Sequence, residues 1–183
     1  QHVMARRQRQ MCIRDSSRVF PSLVIATFLG ISNACIVLTS SLFVNDVILE
    51  NKDNLYFFVS LGFAIVALSG LLTQLLLVDR YTFNPKILVI TGITLMAGVF
   101  YLLSNTSEII WFYLLLMIYG FGGGLARPGN VSILSLSVNK DEQGAASGLM
   151  GTVFPLGHLI TPFSIMPLYL SLIHISEPTR QWS

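Results

Sequence analysis

Five apolar stretches, each close to the length of a bilayer-spanning helix and separated by short polar breaks, leave this chain few ways to fold in water. A helix needs about 20 mostly apolar residues to cross the hydrocarbon core of a membrane. The stretches run from about Phe20 to Phe43, Leu55 to Val78, Lys86 to Leu103, Ile109 to Val138 and Gly144 to Tyr169. The breaks at Asp46–Asn54, Asp79–Pro85, Ser104–Glu108 and Asn139–Gln143 are short, which makes neighbouring helices antiparallel. Charge agrees with this division. Only 11% of the residues are charged, against about 25% in soluble domains, too few to cover a water-facing surface. The expected fold class is all-α: a polytopic transmembrane helix bundle of about five spanning helices, an integral membrane protein with the lipid bilayer as its first partner.

Local signals refine the spans. Asn84-Pro85 marks a helix start, where proline is tolerated. The fourth stretch is long enough to tilt or to protrude. The fifth is expected to be interrupted by Pro155, Pro162 and Pro167.

The two ends read differently from the interior. MCIRDS (Met11–Ser16) and LSLIHIS (Leu170–Ser176) resemble translations of one transposase-adapter DNA and of its reverse complement. RRQRQ (Arg6–Gln10) and EPTR (Glu177–Arg180) resemble the primer tails that flank it. The expected organisation is therefore an adapter-derived segment over 1–16, a native transmembrane region over 17–169 and a second adapter-derived segment over 170–183. Between those ends, six basic residues face seven acids, a net of −1, although the whole chain carries +2. The basic balance thus says nothing about nucleic acid, and no nucleic-acid partner is expected. The interior bases set an orientation instead. Arg18, Arg80, Lys86 and Lys140 fall on one side and Lys52 on the other, which puts the first side in the cytoplasm.

Enzyme and metal motifs are absent. Cys12 and Cys35 match no ligand spacing and no disulfide framework. There is no phosphate-binding glycine loop, no HExxH and no cluster of acids and histidines at one membrane face, so neither an enzyme nor a cofactor is expected.

A few polar residues break the apolar spans. Arg127, in GGGLARPGN, is the sharpest. A charge at the bilayer centre costs about 3 kcal/mol unless it faces a cavity or a partner. Its partner is an acid elsewhere in the protein or an anionic group of a substrate; alternatively it snorkels to a headgroup layer. His158 either relays protons, as imidazole does near neutral pH, or bonds a carbonyl freed by Pro155 or Pro162. Asn33 with Ser32, Thr39 and Ser40 on the first span, and Gln74 on the second, either line a substrate path or bond between helices. Tyr56, Phe57, Phe58, Trp111, Phe112 and Tyr113 gather at the expected outer ends as an interfacial belt. Gly120 with Gly124, and Gly144 with Gly148 and Gly151, form small faces suited to close helix packing.

Three stretches, taken in order, carry a family resemblance: LLLVDRYTFNPK (Leu75–Lys86), the long run from Tyr119 to Gly157, and within it DEQGAASGLMG (Asp141–Gly151). Together they resemble helices seven to eleven of the major facilitator superfamily, nearest to its drug:proton antiporters. Asp79 and Arg80 match that family's cytoplasmic gating loop, while Leu75 and Thr82 stand where the motif has glycine and Phe83 where it has a basic residue. The resemblance implies a C-terminal half of a secondary transporter, partnered by a missing N-terminal half, a small organic solute and protons. It implies proton antiport with alternating access; the alternative is a uniporter or symporter of the same fold. A non-transport membrane protein is the other class. The implied location is a bacterial cytoplasmic membrane. No acid sits in mid-span, so the main proton carrier is expected in the missing half.

Overall fold

The computed structural model describes residues 18–45, 54–81, 83–106 and 108–176, the side chains of 165, 166 and 168–176 excepted. The Arg6–Arg14 cluster, the acidic loop 46–53, Thr82 and Glu177-Pro178 lie outside the described residues. Five long helices make up the rest: α1 (Phe20–Phe43), α2 (Leu55–Thr73), α3 (Pro85–Leu103), α4 (Ile109–Ser137) and α5 (Gln143–Ser176).

Several helix boundaries have a local cause. Pro21 opens α1, its missing N–H falling among donors that a first turn leaves free. At α3 the Asn84 side chain accepts from the Lys86 N–H at 3.0 Å, and Pro85 supplies the first helical φ. A single 3-10 turn, Lys140–Glu142, joins α4 to α5, closed by reciprocal Asn139 and Glu142 bonds. α2 does not end in a simple cap. It widens into a π-helical turn over Gln74–Val78, in which the Asp79 N–H donates to the Gln74 carbonyl at 3.0 Å.

Four of these helices, α1, α2 with its π turn, α3 and α4, are long and apolar enough to cross a membrane. The fifth expected span is also helical, over Gln143–Ser176. The expected interruption of this segment is not seen: α5 runs unbroken through Pro155, Pro162 and Pro167. With no water competing for backbone groups, a helix remains the best way to satisfy them. Thr161 and Ser164 add hydroxyl bonds to the Gly157 and Ile160 carbonyls, at 2.7 and 2.9 Å, on either side of Pro162.

α4 is the centre of the bundle. It packs between α2 and α3 and touches α1, while α5 lies along α1. Leu29, Ile36, Met96, Phe112, Leu116 and Tyr119 form the principal core. By contrast α2 exposes Phe57, Leu68 and Leu72, and α3 exposes Ile90 and Tyr101, the pattern of helices with lipid on one side. Hydrocarbon gives no hydrophobic drive between helices, so close van der Waals approach must hold them. Glycine provides it at three crossings. A Cβ on Gly92 would lie 2.5 Å from the Gly122 carbonyl oxygen, joining α3 to α4. One on Gly124 would lie 2.7 Å from the Gly70 carbonyl oxygen, joining α2 to α4, with Gly120 set against Val66 and Ser69 in the same seam. Gly30 and Gly157 face each other where α1 crosses α5.

Two sequence expectations need correction here. Gly144, Gly148 and Gly151 meet nothing within 4 Å among the described residues; the α5 contact falls to Gly157, which lies deeper along α5 and opposite another glycine. The aromatic belt is also smaller than expected. Tyr56, Phe57 and Trp111 are exposed, but Phe112 is 2% exposed and stacks on Phe43 at 5.8 Å. Tyr113 turns inward and donates to the Phe58 carbonyl at 3.1 Å.

Candidate functional site

A cavity of about 470 Å³ opens between α1, α2 and α4. Its formation follows from the spacing of residues on α4. Tyr119, Gly123 and Arg127 succeed one another at four-residue intervals and so share one face. Gly123 has nothing within 4 Å, so the missing side chain in the middle of that face is what leaves space. The neighbouring face, Gly120 and Gly124, holds α2 close and fixes the opposite wall.

Asn33 from α1, Gln74 from the π turn of α2 and Arg127 from α4 all line this cavity, joined by Tyr119. Gly120 and Gly124 line it too. Val37, Phe63 and Val66 supply its apolar wall. Residues separated by more than ninety positions in sequence, Asn33 and Arg127, thus share one space.

His158 sits behind this wall. Asn33 Oδ1 is an acceptor, so His158 donates to it from Nε2, at 3.1 Å. The carbonyls near Pro155 and Pro162 are not its partner. Its other ring nitrogen, Nδ1, is buried without a hydrogen-bond partner among the described residues. The His158 ring lies 5.4 Å from that of Phe154, one turn earlier on α5. Arg127 Cζ lies over the same Phe154 ring, 5.0 Å from its centre. Phe154 therefore stands between the guanidinium of α4 and the imidazole of α5. Such a cation–π contact contributes roughly 0.5–2 kcal/mol. No described residue accepts a hydrogen bond from Arg127 or pairs with it as an acid, and Arg127 is exposed toward the cavity.

Tyr119 anchors the arrangement. It is 1% exposed, shares a hydrogen bond of 2.9 Å with Ser32 and meets the edge of Phe100 at 5.8 Å. Adjacent residues of α1, Ser32 and Asn33, thereby bind α4 on one side and α5 on the other.

Asp79 and Arg80 lie outside the cavity, exposed in the turn after α2, with no ion pair among the described residues. They connect to it only through the π turn, which ties Asp79 N–H to the carbonyl of cavity-lining Gln74. A larger groove of about 690 Å³ lies between the Leu102 end of α3 and the Glu108–Trp111 start of α4; of the residues singled out in the sequence only Trp111 of the aromatic belt lines it, and none of the substrate or coupling candidates does. No group of three or more His, Cys, Asp or Glu able to hold a metal occurs among the described residues.

Sequence reasoning passed over three residues. Tyr119 was recognisable from its spacing to Arg127, and Phe154 from its place one turn before His158. Asn130 carries the same signal as Asn33, a polar group in an apolar span. It is 2% exposed and donates from Nδ2 to the Ser22 carbonyl at 2.9 Å, tying α4 to α1.

The family model described as Major Facilitator Superfamily matches residues 5–162. No curated protein and no solved structure matches.

Proposed function

The chain belongs to the major facilitator superfamily, a family of membrane transporters rather than enzymes, and on that footing we propose that it forms the C-terminal half of a proton-coupled secondary transporter. The observation that carries the proposal is the convergence of Asn33, Gln74, Tyr119 and Arg127 on one cavity walled by apolar side chains. A few placed polar groups in an apolar concavity are what a small organic solute requires. The cavity opens at a bundle face, where an N-terminal half would close it and alternating access would follow from rocking of one half against the other. The glycine crossings suit that motion, because α1 with α5 and α2 with α4 approach closely enough to move as units.

His158 is the coupling residue within this half. It bonds a cavity-lining amide, and its other, buried ring nitrogen has no hydrogen-bond partner among the described residues, so it can take up a proton without breaking its bond to Asn33. Asp79 and Arg80 form part of the cytoplasmic gate, communicating with the site through the π turn at Gln74. The start of α1, the α2–α3 turn and the α4–α5 turn face the cytoplasm, in keeping with Arg18, Arg80, Lys86 and Lys140. A bacterial cytoplasmic membrane is the proposed location, and drug-like efflux the proposed direction.

The test is flux. The full-length protein is reconstituted in vesicles and given an imposed pH gradient, and uptake or release of candidate solutes is followed. Solute movement opposite in direction to the proton flow that collapses the gradient supports proton antiport. Solute movement indifferent to the gradient supports a uniporter of the same fold, and movement with protons a symporter. No movement of any solute, in vesicles shown to hold folded protein, refutes the transport reading.

A further inference from the structure

The cavity has one ionised lining residue among the described residues, and it is a cation. Arg127 stands over Phe154, which covers it on one side and offers no acceptor for its N–H groups. Guanidinium carries five donors in a planar fork that fits the two oxygens of a carboxylate, or those of a sulfonate or phosphate. Those donors find no partner among the described residues, and the charge lies where an apolar span makes solvation poor. Tyr119 and Asn33 supply further polar groups beside it, while Val37, Phe63 and Val66 offer an apolar wall.

We propose that this cavity selects amphipathic organic anions, with the anionic head against Arg127 and the apolar body along α1 and α2. The inference rests on the transport-site reading of the same cavity. It runs against a cationic drug as substrate, because a cation entering here meets Arg127 with no described carboxylate to offset it. A charge-assisted bidentate bond gives the head group most of its selectivity. The apolar wall is tolerant of shape, so the body of the solute is less restricted than its charge.

Three probes of nearly equal size separate the possibilities: naphthalene-2-acetate, its neutral amide, and 2-(naphthalen-2-yl)ethylammonium. Equilibrium binding of each is measured on the full-length protein in lipid nanodiscs, and gradient-driven flux is measured separately in vesicles. The acetate should bind about tenfold or more tighter than the amide, with the ammonium weakest. Arg127→Gln should bring acetate and amide together, and Arg127→Lys should restore part of the difference. If Arg127→Gln fails to fold, the wild-type series alone decides. Equal binding of acetate and amide, or tighter binding of the ammonium, overturns the proposal and assigns Arg127 to an internal carboxylate of the other half. An unchanged preference in Arg127→Gln overturns it as well. Preference for the acetate without flux of any probe refutes transport but leaves anion selection standing. Proton-driven flux without that preference does the reverse.

Discussion

Asn33 on α1 and His158 on α5 meet through a hydrogen bond of 3.1 Å, although 125 residues separate them in the chain. One partner lines the cavity and the other stands behind it, so this bond joins the cavity wall to α5. The adjacent Ser32 holds Tyr119 of α4 in the same way, so one turn of α1 gathers polar groups from both neighbours.

His158→Ala should separate coupling from binding. In the full-length transporter, solute exchange at zero gradient should persist at more than about a third of the wild-type rate, while accumulation against a gradient is lost. Loss of both together would reduce His158 to a packing residue. The Asn33–His158 bond itself should show a coupling of about 0.5–1.5 kcal/mol in a double-mutant cycle of unfolding, the range of interhelical bonds in membranes.

The glycine crossings make a second prediction. Gly30→Val and Gly157→Val should each destabilise the bundle by about 3 kcal/mol or more, since a side chain at either position meets the other helix's backbone. Gly144→Ala and Gly148→Ala, which face open space, should change stability by less than about 1 kcal/mol, with the helix-propensity gain in their favour. Thermal unfolding in detergent checks both. Comparable losses at all four sites would mean that another segment covers the Gly144 face.

Much of this was legible in the sequence. Apolar length located the helices, because a span in lipid has almost no other signal to satisfy, and Asn84-Pro85 marked the start of α3 correctly. Polar residues in apolar spans pointed to Asn33, Gln74, Arg127 and His158. What spacing did not carry was which of them share a space, since that depends on helix rotation. The same limit explains the glycines: Gly144, Gly148 and Gly151 had the repeat, whereas Gly157 had the partner. Proline rules drawn from water overstated the break in α5, where no solvent competes for the backbone. Phe112 was assigned to the membrane surface by its neighbours in sequence and went to the core through its place on the inner face of α4.

Orientation is testable with impermeant thiol reagents. In the full-length protein in intact cells, Asn51→Cys should be labelled from outside and Asn84→Cys only after the membrane is opened. The reverse pattern would invert the proposed topology, and with it the cytoplasmic place of Asp79 and Arg80.

Residues 1–16 and 170–183 are proposed to derive from adapter DNA, although the family match begins at residue 5, inside the first of them. Genomic reads crossing Arg18 and Tyr169 should leave the present frame at MCIRDS and LSLIHIS. A frame continuing unchanged through either stretch would return that segment to the native protein.

Arg127 tests the central claim most directly, because it lines the cavity and carries its charge. Initial gradient-driven flux is measured for the full-length transporter with Arg127→Ala and Arg127→Lys at matched membrane levels. The account predicts a loss of about a hundredfold or more in Arg127→Ala, with partial recovery in Arg127→Lys, whose ammonium lacks the planar fork. Near wild-type flux in Arg127→Ala would contradict it and leave Arg127 a residue that reaches for the headgroup layer.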